Sequence, residues 1–285
     1  MLTDLSGKVI LITGGAQGIG AAAARLCARR GAVIYIADLN IEQGETLARE
    51  LDAIQPGAAF FPLDVSSEEQ VQQVIAQIQV RTPKLDGLVC AAGILRGAFL
   101  TPEELTAEDF QMVQQVNVTG VFLSVKYAMP LLQASKQSVV VIIASGAGVQ
   151  GPSSSLADAA SKGGANGLSM TLAAQLESRG IRVNTLSPGS IITEMKLRVE
   201  LENARRQGIP EEEAIQNARR NYGTPEGVAP IIAFMLSDEA DYLRGEVEIA
   251  DWIGWSQGSE GSAYETLIAR QESVSELGIP AGSAG

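Results

Sequence analysis

The sequence has 285 residues, of which 46% are hydrophobic and 19% are charged, and its formal net charge is −12. A chain of this kind can bury a sizeable core, and its acidic balance argues against nucleic acid and anionic membranes as partners. It contains no histidine and only two separated cysteines, Cys27 and Cys90, so the commonest general base is absent and no metal site is expected.

Nothing in the sequence indicates a membrane or secreted protein. The apolar runs are shorter than the roughly 20 residues that cross a bilayer, and the N-terminal MLTDLSGKVI lacks a basic region followed by an apolar one. We therefore expect a soluble, cytoplasmic protein in which Cys27 and Cys90 are buried free thiols.

Seven short runs rich in β-branched residues alternate with segments of helical periodicity. The runs are KVILIT (8–13), AVIYIA (32–37), AAFFPL (58–63), DGLVCA (86–91), SVVVIIA (138–144), IRVNTL (181–186) and GEVEIA (245–250). Between them, segments such as IEQGETLAREL place apolar residues three and four apart. The pattern predicts a Rossmann-type, doubly wound parallel sheet of about seven strands with helices on both faces, forming one domain over residues 1–255.

Two segments stand outside this alternation. Residues 194–222 carry two charged helical patterns, and we expect them to form a lid over the ligand crevice, because they follow the carboxyl end of a strand; a solvated helical pair is the alternative. Residues 256–285 form a C-terminal extension that either packs on a neighbouring subunit or is loose. Trp252 and Trp255 are equally consistent with core, interface and substrate-stacking positions.

The clearest ligand motif is TGGAQGIG, residues 13–20, which follows the first strand and opens the first helix. Such glycines allow a tight turn that places a pyrophosphate on a helix N-terminus. Asp38 ends the second strand about 20 residues later, where a carboxylate accepts hydrogen bonds from a ribose and repels a 2′-phosphate. The motif predicts a nicotinamide dinucleotide site that favours NAD(H) over NADP(H).

At this point the sequence resembles the short-chain dehydrogenase/reductase family over residues 5 to about 250. The resemblance rests on the ordered matches TGGAQGIG, Asp64-Val65, Ala92-Gly93, Asn117 in VNVTG, Ser145, Lys162 in ASKGG, and Pro188-Gly189 with Thr193. It implies that Asp64 and Val65 flank the adenine, that Lys162 bonds the nicotinamide ribose, and that the loop from Pro188 to Thr193 holds the carboxamide. It also implies a homodimer or homotetramer.

The motif and the resemblance together give the expected site. The predicted cofactor-binding residues are Gly14, Gln17, Gly18, Ile19, Gly20, Asp38, Leu39, Asp64, Val65, Ala91, Ala92, Gly93, Lys162, Pro188, Gly189, Ile191 and Thr193. The predicted catalytic residues are Asn117, Ser145, Asp158 and Lys162.

Asp158 stands where the family pattern has its catalytic tyrosine. That tyrosine lies four residues before the lysine and thirteen after the serine, and both spacings reach Asp158. An aspartate is shorter than a tyrosine by roughly 3 to 4 Å, so it does not reach the same substrate oxygen and leaves additional space. Lys162 on the next helical turn favours the ionised form, which is a poor proton donor. Ordinary ketone reduction should therefore be impaired.

An imine or iminium substrate has different requirements, because it already carries the positive charge that a hydride neutralises. A fixed carboxylate beside it would stabilise the cation. In lacking the tyrosine, the sequence is similar to some short-chain-type reductases of fungal indole-alkaloid pathways. The sequence thus favours an atypical oxidoreductase that acts on a bulky cationic or easily reduced biosynthetic substrate.

Other interpretations stay open. Asp158 could be a solvated helix-start residue in a catalytically silent nucleotide-binding protein, the base of a non-redox isomerase or cyclase, or an engineered change. Two further departures from the family argue against a single engineered change: Ala91 replaces a usual asparagine, and DWIGW replaces a glycine pair. Ser145 could be a strand-end hydroxyl, and Asn117 could bond the backbone at a helix bend.

Overall fold

The computed structural model describes residues 3–249 and contains a seven-stranded, all-parallel sheet of order β3-β2-β1-β4-β5-β6-β7. The strands β1 to β7 are Val9–Thr13, Val33–Asp38, Ala59–Pro62, Gly87–Cys90, Ser138–Ile143, Ile181–Ser187 and Gly245–Glu248. The predicted fold class is confirmed. Trp252, Trp255 and the extension 256–285 lie outside the described residues, so the domain boundaries stay predictions.

Helices connect the strands and cover both faces of the sheet. In chain order, α1 to α9 are Gly18–Arg29, Ile41–Ile54, Glu68–Arg81, Ala107–Gln114, Gly120–Gln133, Leu156–Leu176, Glu194–Gln207, Glu211–Asn221 and Pro225–Leu236. A π-helical turn, Gln115–Thr119, joins α4 to α5. Among residues 3–249, no helix combines the length and apolar character needed to cross a membrane.

Side-chain alternation along the strands builds two separate cores. Leu11 of β1 packs with one hydrophobic cluster, whereas its neighbours Ile10 and Ile12 pack with a second cluster on the opposite face. Complete burial of each such side chain contributes about 1.5–3 kcal/mol. Cys27 and Cys90 are buried free thiols, as predicted, and burial raises the pKa of each to about 12. These thiols are therefore unreactive packing groups.

The sheet reverses its strand order at β1, which pairs with β2 on one side and with β4 on the other. In open α/β sheets, ligands bind in the crevice at the carboxyl ends of the strands where this reversal occurs. The loops after β1, β4 and β5 all open at this edge, so the topology places the predicted motifs together.

The segment predicted as a lid forms the helices α7 and α8, which pack against each other as a helical hairpin. Both ends of this hairpin are joined at its base, because the Ile192 amide donates to the Gly223 carbonyl at 2.8 Å and the Gly223 amide donates to the Ser190 carbonyl at 2.9 Å. Gly208 ends α7 with a φ of 69°, a left-handed conformation that favours glycine. Its function as a lid stays a prediction.

Candidate active site

A cavity of about 840 Å³ opens at the carboxyl edge of the sheet. It is lined by the glycine-rich turn after β1, the ends of β2 to β5, the start of α6 and the first turns of α7. All of the predicted site residues line it except Asn117. The structure thus brings together residues that lie up to about 180 positions apart in the sequence.

The glycine-rich turn is shaped by close backbone approach. Gly14 has a φ of 69°, and a Cβ atom there would lie 2.4 Å from the Ala92 nitrogen. At Gly20, a Cβ atom would lie 2.2 Å from the Gly14 carbonyl oxygen. Neither position accepts a side chain, so the turn stays tight and open toward the cavity.

The helix after this turn offers an anion site. Gln17 is the N-cap of α1, and its side chain makes no capping hydrogen bond. By contrast, Asn40, Ser67 and Thr193 cap α2, α3 and α7 with their side chains. The first turn of α1 also carries no acidic residue. Uncapped amide groups and the helix dipole favour a phosphate here.

Asp38 is fixed by the backbone at the end of β2. Its Oδ2 accepts from the Ala16 amide at 3.0 Å, and its Oδ1 accepts from the Asn40 amide at 2.9 Å. A carboxylate oxygen accepts more than one hydrogen bond, so these contacts orient the group without exhausting it. Next to it, the Leu39 side chain lines the cavity and is 68% exposed.

Asp158 lies in the first turn of α6 and is only 6% exposed. Its Oδ2 accepts a hydrogen bond from the Ser153 hydroxyl at 2.7 Å, and its amide donates to Ser155 Oγ, the N-cap of the helix, at 3.3 Å. A carboxylate at a helix N-terminus is also stabilised by the dipole. The side chain is therefore held in one orientation beside the cavity.

Lys162 follows Asp158 on the next turn of α6 and also lines the cavity. Its Nζ donates to the Ile143 carbonyl over a long distance of 3.5 Å. Burial lowers the pKa of Lys162 below its usual value, while the negative charge of Asp158 acts in the opposite direction and raises it. The charge of Asp158 therefore partly offsets the effect of burial on the pKa of Lys162.

Ser145 and Asn117 differ in their relation to the cavity. Ser145, just after β5, lines it and accepts a hydrogen bond from the Ala147 amide at 3.1 Å. Asn117 does not line the cavity and is buried in the π-helical turn. Its Oδ1 accepts from the Ile94 amide at 2.8 Å, and its Nδ2 donates to the Ile94 carbonyl at 3.0 Å and to Ser161 Oγ at 2.9 Å. Asn117 thus braces the loop after β4 against α6.

The structure adds residues that the sequence analysis did not single out. Ser153 is the most important, since it orients Asp158. Glu248 at the end of β7 lines the cavity and accepts from Gln150 Nε2 at 3.0 Å. Ser153 lies in a run of three serines and Glu248 ends a strand, and neither pattern has a spacing that signals a site.

A doubly wound parallel sheet, a glycine-rich turn before an uncapped helix, and a carboxylate at the end of β2 together define a Rossmann-type fold. A family profile described as enoyl-(acyl carrier protein) reductase matches residues 14–252. The 3-oxoacyl-[acyl-carrier-protein] reductase FabG of Thermotoga maritima is 35% identical over 243 residues, which cover 85% of this chain and 96% of that protein.

Further relatives agree. The levodione reductase of Leifsonia aquatica is 33% identical over 271 residues, covering 92% of this chain and 97% of that protein. The crystal structure of an NAD⁺-bound xylitol dehydrogenase superposes with a TM-score of 0.79 at 30% identity, covering 87% of this chain and 99% of that one. The chain belongs to the short-chain dehydrogenase/reductase family.

Proposed function

We propose that this protein is an atypical NAD(P)(H)-dependent oxidoreductase that transfers a hydride to a bulky cationic substrate, an imine or iminium, or to an otherwise easily reduced biosynthetic compound. One observation carries the proposal: a buried carboxylate, Asp158, is held by Ser153 at the position where the family pattern has its proton-donating tyrosine.

The residues present fit a nicotinamide dinucleotide. The uncapped N-terminus of α1 and the glycine turn suit a pyrophosphate, and the fixed carboxylate of Asp38 suits an unphosphorylated ribose. We therefore propose NAD(H) in preference to NADP(H), with Lys162 bonding the nicotinamide ribose and the loop from Pro188 to Thr193 holding the carboxamide. When bound, this cofactor supplies the hydride.

The side chains of the protein then stabilise charge and orient the substrate. A ketone that gains a hydride must also gain a proton, and an ionised aspartate beside a lysine is a poor donor. An iminium carbon that gains a hydride becomes a neutral amine, so no proton donor is needed. Asp158 stabilises the positive charge, Ser145 orients the substrate with its hydroxyl, and Lys162 holds the cofactor side of the cavity.

We also propose, from the family resemblance, a cytoplasmic homodimer or homotetramer. Phe122 on α5 and Met170 on α6 are 45% and 71% exposed, and a contact between copies would bury such apolar side chains.

A non-redox reaction is the second candidate. The same buried carboxylate, oriented by Ser153, could act as a base in an isomerisation or cyclisation without hydride transfer. A silent nucleotide-binding protein would bind the cofactor and catalyse neither reaction.

Two measurements separate these functions. Binding of NADH and of NADPH is followed by fluorescence titration of the purified protein. Turnover with NADH is then compared for an N-methyl-dihydroisoquinolinium salt, a permanent cation, and for tetralone, a neutral ketone of similar size. We expect NADH-selective binding and faster reduction of the cation. Equal rates for both compounds, or reduction of the ketone only, would contradict the proposal, and binding of neither dinucleotide would end the oxidoreductase interpretation.

A further inference from the structure

The tip of the α7–α8 hairpin contacts the loop after β4. Arg206, in the last turn of α7, places its guanidinium carbon 5.8 Å from the centroid of the Phe99 ring in the loop after β4, residues 91–106. Since the base of the hairpin is joined at Gly223, the hairpin is held at both ends. This stacking is a cation–π contact, which favours one position of the hairpin tip relative to the loop after β4.

Phe99 has an uncommon backbone conformation. Its φ is 61°, and it is the only non-glycine residue between positions 3 and 249 with a positive φ. An aromatic residue adopts this conformation only when the surrounding contacts hold it there. One such contact is short: the Phe99 amide donates to the Ser154 carbonyl at 2.6 Å.

Ser154 lies between the two serines that position Asp158. Ser153 donates to the Asp158 carboxylate at 2.7 Å, and Ser155 caps α6 by accepting from the Asp158 amide. Ser155 also donates its hydroxyl to the Arg96 carbonyl, in the same loop as Phe99, at 2.6 Å. The loop after β4 is therefore joined to the Asp158 segment by two hydrogen bonds.

We propose that Phe99 is a positioning residue that couples closure of the α7–α8 hairpin to the orientation of Asp158. Stacking of Arg206 holds the strained Phe99 backbone, that backbone holds Ser154, and the flanking Ser153 then presents its hydroxyl to the carboxylate. In this proposal, the contact between the hairpin tip and Phe99 completes the cation-binding group. The catalytic part of this inference rests on the proposed function, whereas the coupling itself does not.

Hydrogen exchange of the purified full-length protein tests the coupling without any substrate. Arg206→Ala is compared with Arg205→Ala, a neighbour in the same helical turn that pairs with Glu211 instead. We expect Arg206→Ala to speed the exchange of amides in residues 97–105 and 153–158 about two- to fivefold, the size of an exposed cation–π contact, and Arg205→Ala to leave both segments unchanged. Faster exchange confined to residues 203–210, or no change, would overturn the coupling.

Variants of Phe99 test whether the ring is responsible. Phe99→Tyr keeps an aromatic face for Arg206 and should exchange like the wild type in residues 153–158. Phe99→Leu removes that face and should reproduce the effect of Arg206→Ala. If Phe99→Leu exchanged like the wild type in that segment, the ring would have no positioning role.

Kinetics with the N-methyl-dihydroisoquinolinium salt test the catalytic consequence. Ser153→Ala should lower kcat about tenfold, since it removes a hydrogen bond to a charged group. Arg206→Ala should lower kcat about two- to fivefold in the wild-type background, without changing the Kd of NADH. In the Ser153→Ala background, Arg206→Ala should cause no further decrease in kcat. If the two substitutions lowered kcat by independent factors that multiply in the double variant, the proposed coupling from Arg206 to Ser153 would be contradicted. If the wild type did not reduce the salt at all, the proposed function would fail, while the exchange data would still decide the coupling.

Discussion

Replacing Asp158 by asparagine removes one negative charge from the cavity while keeping the shape of the side chain and an acceptor for the Ser153 hydroxyl. Two unit charges about 4 Å apart interact by about 4 kcal/mol at an effective dielectric constant of about 20, and Asp158 is nearly buried. Removal of a single preorganised electrostatic group from other active sites costs about 100- to 1,000-fold in rate, which is a similar free energy.

We therefore expect Asp158→Asn to lower kcat/KM for the N-methyl-dihydroisoquinolinium salt about 100- to 1,000-fold and to leave the low rate with tetralone unchanged or raised. The assay follows oxidation of NADH by absorbance. Asp52→Asn is the matched control, because Asp52 is an exposed carboxylate of α2 that does not line the cavity. A reduction of less than about twofold with the cationic compound would show that the charge of Asp158 has no part in binding it.

Three further predictions concern the cofactor, pH and stability. Asp38→Ser should raise the affinity for NADPH relative to NADH by about tenfold or more in fluorescence titrations, since the carboxylate that repels a 2′-phosphate is lost; an unchanged ratio would count against its role. Burial lowers the pKa of Lys162 and the charge of Asp158 partly offsets this effect, so Asp158→Asn should lower that pKa further and move the alkaline loss of NADH affinity to lower pH; a shift to higher pH would refute the electrostatic coupling. In urea unfolding, Gly14→Ala should lower the free energy of unfolding by about 2 kcal/mol or more, because Gly14 has a left-handed φ and a Cβ atom there would clash with the backbone. Gly167→Ala should raise the free energy of unfolding by up to about 1 kcal/mol, because Gly167 lies on an exposed helix face with open space around it. Equal effects of the two substitutions would contradict the packing of the turn.

The sheet could be predicted from sequence because its central strands are buried on both faces. Runs such as SVVVIIA and IRVNTL are continuous and β-branched, and the observed strands Ser138–Ile143 and Ile181–Ser187 differ from the predicted runs by one residue at most. The strand order follows from the alternation of strands and helices, because right-handed crossovers leave few topologies.

The glycine turn and Asp38 could also be located, since their chemistry depends on local spacing along one strand–turn–helix unit. Ser153, Phe99 and Arg206 could not. Their contacts join the loop after β4, the segment before α6 and the helix α7, which only the folded chain brings together. A positive φ at a phenylalanine also has no sequence signature. Asn117 is a site residue that the sequence predicts, but its hydrogen bonds to Ile94 and Ser161 depend on the π-helical turn and could not be predicted.

Hydride transfer to a cation is the central claim, and a single-turnover reaction with NADH deuterated at the transferable position tests it most directly. The protein is mixed with this cofactor and the N-methyl-dihydroisoquinolinium salt, and the product is examined by mass spectrometry. The account predicts a tertiary amine that carries one deuterium at the former iminium carbon. An unlabelled product, or a product formed without oxidation of the cofactor, would show that the protein does not act as a hydride-transferring reductase of cations.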